Sequence, residues 1–140
     1  MFVERIQRRC RWRHYEPREP IIAYMDTSDD VFFMMAGSAR VTIRSVDGKA
    51  VSFRELGPNA TFGEYAAIDG GPRSASVDAR TSCLVASMPA AAFLDLLETE
   101  PKLTKLLLKY FVMEIRELTT RVYEFSTLAV RLTQSGRLVN

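Results

Sequence analysis

Residues 62–77 have the sequence FGEYAAIDGGPRSASV, which places a carboxylate, an arginine and a serine in one short stretch. The composition of Gly63 to Asp69 predicts a short helical turn, and backbone N–H groups at the start of a helix attract anions. The guanidinium of Arg73 presents five donors in a planar fork that fits a phosphate, and Ser74 adds a hydroxyl donor. The carboxylate of Glu64 accepts hydrogen bonds from sugar hydroxyls, as acidic residues of dinucleotide sites do. The segment is therefore predicted to bind a phosphorylated ribose.

A second interpretation of this segment is an ordinary surface ion pair. Glu64 and Arg73 would then face each other beside a Gly-Pro turn, and such pairs contribute little to stability. Short motifs also match by chance. The order of the residues along the segment favours the binding site over the ion pair.

That order is FGE, then small or apolar residues, then PRSA and a β-branched residue. It resembles the phosphate-binding cassette of cyclic-nucleotide-binding domains, in particular those of the Crp/Fnr family of bacterial regulators, and covers nearly the whole cassette. The resemblance implies that the Gly and Glu bind the ribose and that the Arg and the following Ser bind the cyclic phosphate. The predicted phosphate and ribose contacts are Gly63, Glu64, Tyr65, Ala66, Arg73 and Ser74.

Two turns outside the cassette depart from the family pattern. The family usually has a glycine where Arg18 stands, so the sequence leaves the shape of that turn open. It commonly has Gly and Asp where Asn59 and Ala60 stand, so the conformation of the chain that leads into the cassette is open as well.

The composition predicts one domain, residues 1–140, large enough to bury a core without disulfides or a structural metal. The chain has one histidine, His14, and two cysteines, Cys10 and Cys83, which are far apart. These side chains do not form a metal-ligand set, a CxxC site or an iron–sulfur cluster, so no metal is expected. We expect a cytoplasmic protein with no membrane partner, because no secretion signal opens the chain and the apolar run at 103–115 contains two lysines.

Short alternating strands with glycine and aspartate turns predict the fold. Runs of about five to seven residues between residues 12 and 89 alternate in polarity. An amphipathic helix is predicted after Pro89, followed by a long helix from about 102 to about 132. The predicted class is mainly β with α: a double-stranded β-helix or jelly-roll β-barrel at 12–89, containing the cassette at 62–77, with flanking helices and a long C-terminal dimerisation helix. The resemblance implies the same architecture.

The long helix contains a heptad pattern of apolar residues, which is typical of a parallel two-stranded coiled coil. The alternative, a helix lying on its own barrel, explains an apolar stripe near the start of the helix but not the later part of the pattern. We therefore predict a homodimer through one seam, formed by Leu108, Phe111, Ile115, Leu118, Val122, Phe125, Ala129 and Leu132.

The same helix is predicted to contact the base. In cAMP receptor proteins of this family small hydroxyl residues hold the adenine amine, and matching their LAF to the LAV at 128–130 puts Arg121 and Val122 in that place. Arginine has no acceptor for the amine, but it stacks on bases and donates to purine acceptors. If Arg121 covers the base, cGMP is therefore expected to bind comparably to cAMP. An equal alternative is that Arg121 is a solvated helix position. The barrel wall beneath the base is predicted to be Val41 and Phe53.

The predicted function is non-enzymatic sensing of cAMP or cGMP, with signalling through the dimerising helix, as part of a Crp/Fnr-type transcription regulator. Only eight residues follow Leu132, too few for the helix-turn-helix domain of that family, so DNA contact is expected only through a domain absent from this chain. The alternatives are a stand-alone cyclic-nucleotide sensor acting on another protein and a cupin-like barrel with no nucleotide ligand. The sequence leaves open the choice among cAMP, cGMP and no natural ligand, and the downstream targets.

Overall fold

The computed structural model describes residues 6–44 and 47–134, apart from the side chains of residues 44 and 50–53. Residues 6–8 are helical. The elements that follow are β1 (Arg11–Tyr15), β2 (Pro20–Ile22), β3 (Val31–Ala36), β4 (Ala39–Arg44), β5 (Ala50–Leu56), β6 (Thr61–Phe62), α1 (Glu64–Asp69), β7 (Ser76–Ala79), β8 (Cys83–Met88), α2 (Ala90–Thr99) and α3 (Pro101–Gln134).

The strands form two four-stranded sheets, with the orders β1-β8-β3-β6 and β2-β7-β4-β5. Every pairing is antiparallel, and strands distant in sequence lie side by side, as β1 and β8 do. This arrangement confirms the predicted mainly-β jelly roll with flanking helices and a long C-terminal helix. The strands are divided between two sheets and are not closed into one continuous barrel.

The hydrophobic core draws residues from all eight of these strands, because alternate side chains along a strand point to the same face. In β7, Val77 is buried and pairs with the buried Val41 of β4. Phe32 of β3 stacks on Phe62 of β6, with ring centroids 5.3 Å apart. Burying a side chain of this size contributes about 1.5–3 kcal/mol. The core consists of Tyr15, Ile22, Phe32, Met34, Ala39, Val41, Leu56, Phe62, Val77, Ala79, Cys83 and Val85.

The chain divides into two units, Met1–Leu96 and Leu97–Asn140. The first contains both sheets and α1. The second contains α3, a helix of 34 residues that begins at Pro101, a residue favoured in the first turn of a helix. No helix within the described parts of the chain is long and apolar enough to cross a membrane.

Among the residues that the structure describes, three other than glycine have a left-handed backbone: Arg18 with φ 71°, Met25 with φ 67° and Asn59 with φ 73°. The N–H of Arg18 donates to the carbonyl of Ala79 at 2.7 Å, and that of Asn59 donates to the carbonyl of Met34 at 2.8 Å. Both turns therefore adopt the conformation that glycine favours, although the sequence has arginine and asparagine there. The left-handed conformation is unfavourable for arginine by about 1–2 kcal/mol.

Replacing Arg18, an exposed residue, with glycine is expected to raise the free energy of unfolding. Relief of the left-handed conformation outweighs the greater freedom of glycine in the unfolded chain, which leaves a net gain of about 0.5–1 kcal/mol. Urea unfolding of Arg18→Gly against the parent measures this gain. The control is Arg18→Ala, which removes the same side chain but keeps the strain, and a gain of the same size in that variant would contradict the explanation.

Candidate functional site

The predicted cassette forms a short helix held at both ends by glycines. Helix α1 follows Gly63, with φ 79°, and its last residue, Asp69, is followed by the capping Gly70, with φ 71°. The N–H of Gly70 donates to the carbonyl of Ala66 at 2.9 Å, which closes the helix. Phe62, the first residue of the cassette, belongs to the core and fixes the start of the cassette against β3.

Gly63 has no room for a side chain. A Cβ atom added there would lie 2.9 Å from Nη1 of Arg73, 3.0 Å from the carbonyl oxygen of Asp30 and 3.1 Å from a ring carbon of Phe32. Contacts under about 3.4 Å are tighter than normal carbon packing. The left-handed φ of Gly63 excludes most other residues as well, so this position requires glycine for two independent reasons.

Arg73 is only 3% exposed, and its side chain joins three parts of the chain. Nη1 donates to the carbonyl of Gly63 at 2.8 Å, and Nη2 donates to the carbonyl of Asp30 at 2.8 Å. Nε donates to the hydroxyl of Ser28 at 3.2 Å, and the guanidinium carbon lies 5.7 Å from the ring centroid of Phe32. The guanidinium therefore fixes the start of the cassette to the loop between β2 and β3.

Residues 23–30, which we call the β2–β3 loop, also pair with Arg73 through the backbone. The N–H of Arg73 donates to the carbonyl of Asp26 at 2.9 Å, and its carbonyl accepts from the N–H of Met25 at 3.0 Å. The N–H of Tyr24 donates to the hydroxyl of Ser76 at 3.0 Å. Main chain and side chain thus hold the cassette to this loop together. Sequence analysis missed the loop, although the run DTSDD at 26–30 is rich in hydrogen-bond acceptors.

Glu64 is buried as deeply as Arg73, at 2% exposed. Burial lowers the pKa of Arg73 from its ordinary value, and the carboxylates of Asp30, Asp26, Asp29 and Glu64, in decreasing order, oppose that shift. A surface ion pair, the alternative interpretation of this segment, would leave both side chains exposed. The structure therefore brings the buried side chains of Glu64 and Arg73 together with the half-buried Gly63.

The other predicted site residues have different surroundings. Ser74 is exposed beside Arg73, Tyr65 is 47% exposed and Ala66 is buried. Val41 lies in the core, and the side chain of Phe53 lies outside the described residues.

Arg121 and Val122 belong to α3, in the second unit. Nη2 of Arg121 donates to a carboxylate oxygen of Glu117 on the same helix at 2.6 Å. The side chain of Val122 is 66% exposed.

Residues 12–100 match the sequence profile of the cyclic nucleotide-binding domain, and the match contains the whole cassette. The chain therefore belongs to the cyclic nucleotide-binding domain family.

Its relatives include both channels and transcription regulators. A cyclic nucleotide-gated potassium channel from Mesorhizobium japonicum is 36% identical over 60% of this chain and 22% of the channel. The cAMP-activated global transcriptional regulator CRP of Haemophilus influenzae is 23% identical over 94% of this chain and 59% of the regulator. The chain thus spans only part of the length of these curated relatives.

Solved structures show the same fold. The catabolite activator protein of Thermus thermophilus superposes with a TM-score of 0.82 over 89% of this chain and 59% of that protein, at 23% identity. At that identity the likeness shows the fold alone.

Replacing Gly63 with alanine is expected to lower the free energy of unfolding by at least about 2 kcal/mol, the left-handed penalty plus the displacement of neighbours. Urea unfolding measures the loss. Gly57→Ala is the matched control, because a Cβ atom at Gly57 meets nothing within 4 Å. Equal losses in the two variants would show that Gly63 has no special role.

Proposed function

We propose that this chain binds a cyclic mononucleotide, cAMP or cGMP, at the cassette and that Arg73 binds the cyclic phosphate. The observation that carries the proposal is the buried guanidinium, held beside Gly63 and near the buried carboxylate of Glu64. A buried arginine with ordered hydrogen bonds presents its remaining donors in a fixed direction, which suits a charged phosphate. The Mesorhizobium channel is cyclic nucleotide-gated and the Haemophilus regulator is cAMP-activated, and both relatives support this ligand class.

Each predicted contact has a chemical role in this proposal. The carboxylate of Glu64 accepts from a ribose hydroxyl, and the exposed hydroxyl of Ser74 donates to the phosphate. Tyr65 and Ala66 follow Glu64 on α1 and complete the wall of the cassette. The contacts of Arg73 with Gly63, Asp30 and Ser28 use three of the five N–H groups that a guanidinium has. A phosphate therefore binds the remaining donors or displaces one of these acceptors.

The base is proposed to contact Val41, Phe53, Arg121 and Val122. The bond from Arg121 to Glu117 within α3 means that a base must compete with a carboxylate for this guanidinium. This contact favours the alternative in which Arg121 is a solvated position of the helix. Preference for adenine over guanine is then set by the other base contacts.

The ligand signal is proposed to pass to α3, and α3 to pair with a second copy of the chain. None of the 34 residues of α3 is buried in the single chain, and five seam residues are at least 44% exposed. These five are Leu108, Ile115, Leu118, Val122 and Phe125. A row of exposed apolar side chains at heptad spacing gains stability when a second helix covers it.

A regulatory role without enzymatic activity, within a Crp/Fnr-type transcription regulator, is the setting we propose. The similarity to the Haemophilus regulator extends over 94% of this chain, whereas the similarity to the Mesorhizobium channel extends over 60%. The larger extent must take in much of α3, since α3 and the residues after it form the last part of the chain. A stand-alone sensor acting on another protein is the alternative.

Replacing Arg73 with alanine is expected to weaken the binding of cAMP and cGMP by tens- to thousands-fold, because the phosphate loses its charged partner, worth about 2–5 kcal/mol. Arg73→Lys keeps the charge but not the planar fork and should give an intermediate loss. Calorimetric titration measures the affinity of the parent and of both variants for cAMP and cGMP.

The control for this experiment is Arg80→Ala, which removes an exposed arginine whose partner, Glu55, lies 2.9 Å away. Thermal unfolding of each variant separates a binding defect from loss of the fold, since Arg73 also stabilises the cassette. A folded Arg73→Ala protein that binds within about threefold of the parent would refute the phosphate assignment.

Replacing both Leu118 and Phe125 with glutamate is expected to convert a dimer into monomers, because the charges would be buried in the seam. Sedimentation of each protein measures its mass and so its oligomeric state. A protein concentration of roughly tens of micromolar is chosen because ordinary interfaces hold together there. The matched control replaces Met113 and Tyr123, which are 70% and 71% exposed and lie outside the seam. A parent that sediments as a monomer, or a control that dissociates equally, would show that the seam is not the interface.

A further inference from the structure

The β2–β3 loop contributes three carboxylates to the surroundings of Arg73. Asp26 and Asp30 touch Arg73 through their backbone carbonyls, at 2.9 and 2.8 Å, and Ser28 between them touches it through its hydroxyl. Alternate residues of the loop are therefore fixed against the arginine. These contacts hold residues 26–30 against Arg73, and the carboxylates of Asp26, Asp29 and Asp30 act electrostatically on its guanidinium.

Negative charges outnumber the positive charge at this position. Asp30, Asp26 and Asp29 each act electrostatically on Arg73, and Glu64 adds a fourth carboxylate. Asp26 and Asp29 are exposed and Asp30 is half-buried, so the three remain partly screened by water. A phosphate that reaches Arg73 is attracted by one cation and repelled by several anions.

That repulsion depends on the charge of the phosphate. A cyclic phosphodiester carries a single negative charge, whereas a phosphomonoester carries about 1.5 to 2 negative charges at pH 7. Coulomb repulsion scales with the product of the charges, so each carboxylate disfavours a phosphomonoester more than a phosphodiester.

We propose that Asp26, Asp29 and Asp30 determine which phosphates this site accepts. The acidic β2–β3 loop admits a phosphate with one negative charge, a cyclic phosphodiester, and rejects the linear 5′-monophosphates of the same nucleosides. The loop is then a specificity determinant, and the cassette supplies the affinity. This inference rests on the proposed binding of a cyclic mononucleotide.

The test compares cyclic and linear ligands on a variant with two of these charges removed. Asp26→Asn combined with Asp29→Asn keeps the backbone carbonyl that binds Arg73, and an asparagine at 26 still offers a side-chain oxygen to the N–H of Thr27, as Asp26 does at 2.9 Å. Calorimetry with cAMP, AMP, cGMP and GMP at pH 7.5 and low salt gives four affinities for each protein.

The variant is expected to bind the cyclic nucleotides about two- to threefold more tightly and the linear ones, with about twice the phosphate charge, about four- to ninefold more tightly, by the Coulomb scale for screened charges. The ratio of cyclic to linear affinity should fall about two- to threefold, and this fall should shrink at high salt. A purely structural role of the loop would change both ligand types alike and would not depend on salt.

The matched control is Asp47→Asn combined with Glu98→Gln, which changes the net charge by the same amount with two exposed carboxylates that are not among those acting on Arg73. The ratio of cyclic to linear nucleotide affinity in this control should equal that of the parent. Asp29→Asn alone, at an exposed position, guards against misfolding of the double variant and should give about half the change in binding free energy.

Two results overturn the inference, and they differ in what they say about the proposed function. If the parent binds cAMP or cGMP but the ratio is unchanged in the loop variants, or falls equally in the control, the loop does not select ligand charge and the proposed function stands. If the parent binds neither cyclic nucleotide, the proposed function fails and the inference fails with it.

Discussion

The structure of the site depends on one interaction, the set of hydrogen bonds that the Arg73 guanidinium makes with Gly63, Asp30 and Ser28. The carbonyls and the hydroxyl belong to residues as far as 45 positions from Arg73 along the chain. A buried guanidinium without such acceptors would destabilise the fold by several kcal/mol, so burial and bonding must arise together. The position of the cassette relative to β3 follows from this requirement, and so does the exclusion of any side chain at Gly63.

Much of the fold was predictable because it depends on local patterns. Alternation in the short strands and the heptad spacing of α3 follow from the two- and 3.6-residue periods of strands and helices. The cassette glycines were recognisable as well, since a left-handed backbone and close contacts leave little choice of residue at Gly63. The sequence pattern that predicts each of these elements lies within a few neighbouring residues.

The β2–β3 loop was not predictable, because its role depends on contacts between residues far apart in sequence. Ser28 and Asp30 look like ordinary loop residues, and only the folded chain shows that they face Arg73. Arg18 and Asn59 show that contacts distant in sequence also set the conformation of turns. The loss of a family glycine left the turn conformations open, yet the backbone bonds to Ala79 and Met34 impose the left-handed conformation on the residues that replace it.

If α3 pairs with a second copy as proposed, its exposed apolar side chains make its folding depend on protein concentration. A helix of 34 residues has little tertiary support when none of its side chains is buried in its own chain. If a second copy supplies that support, ordering of the helix becomes a bimolecular reaction, and its midpoint shifts with the amount of protein present. Dilution would then loosen α3 while the sheets, which have their own core, stay folded. The abundance of the protein would thus decide how much of it has an ordered α3 through which a bound ligand can signal.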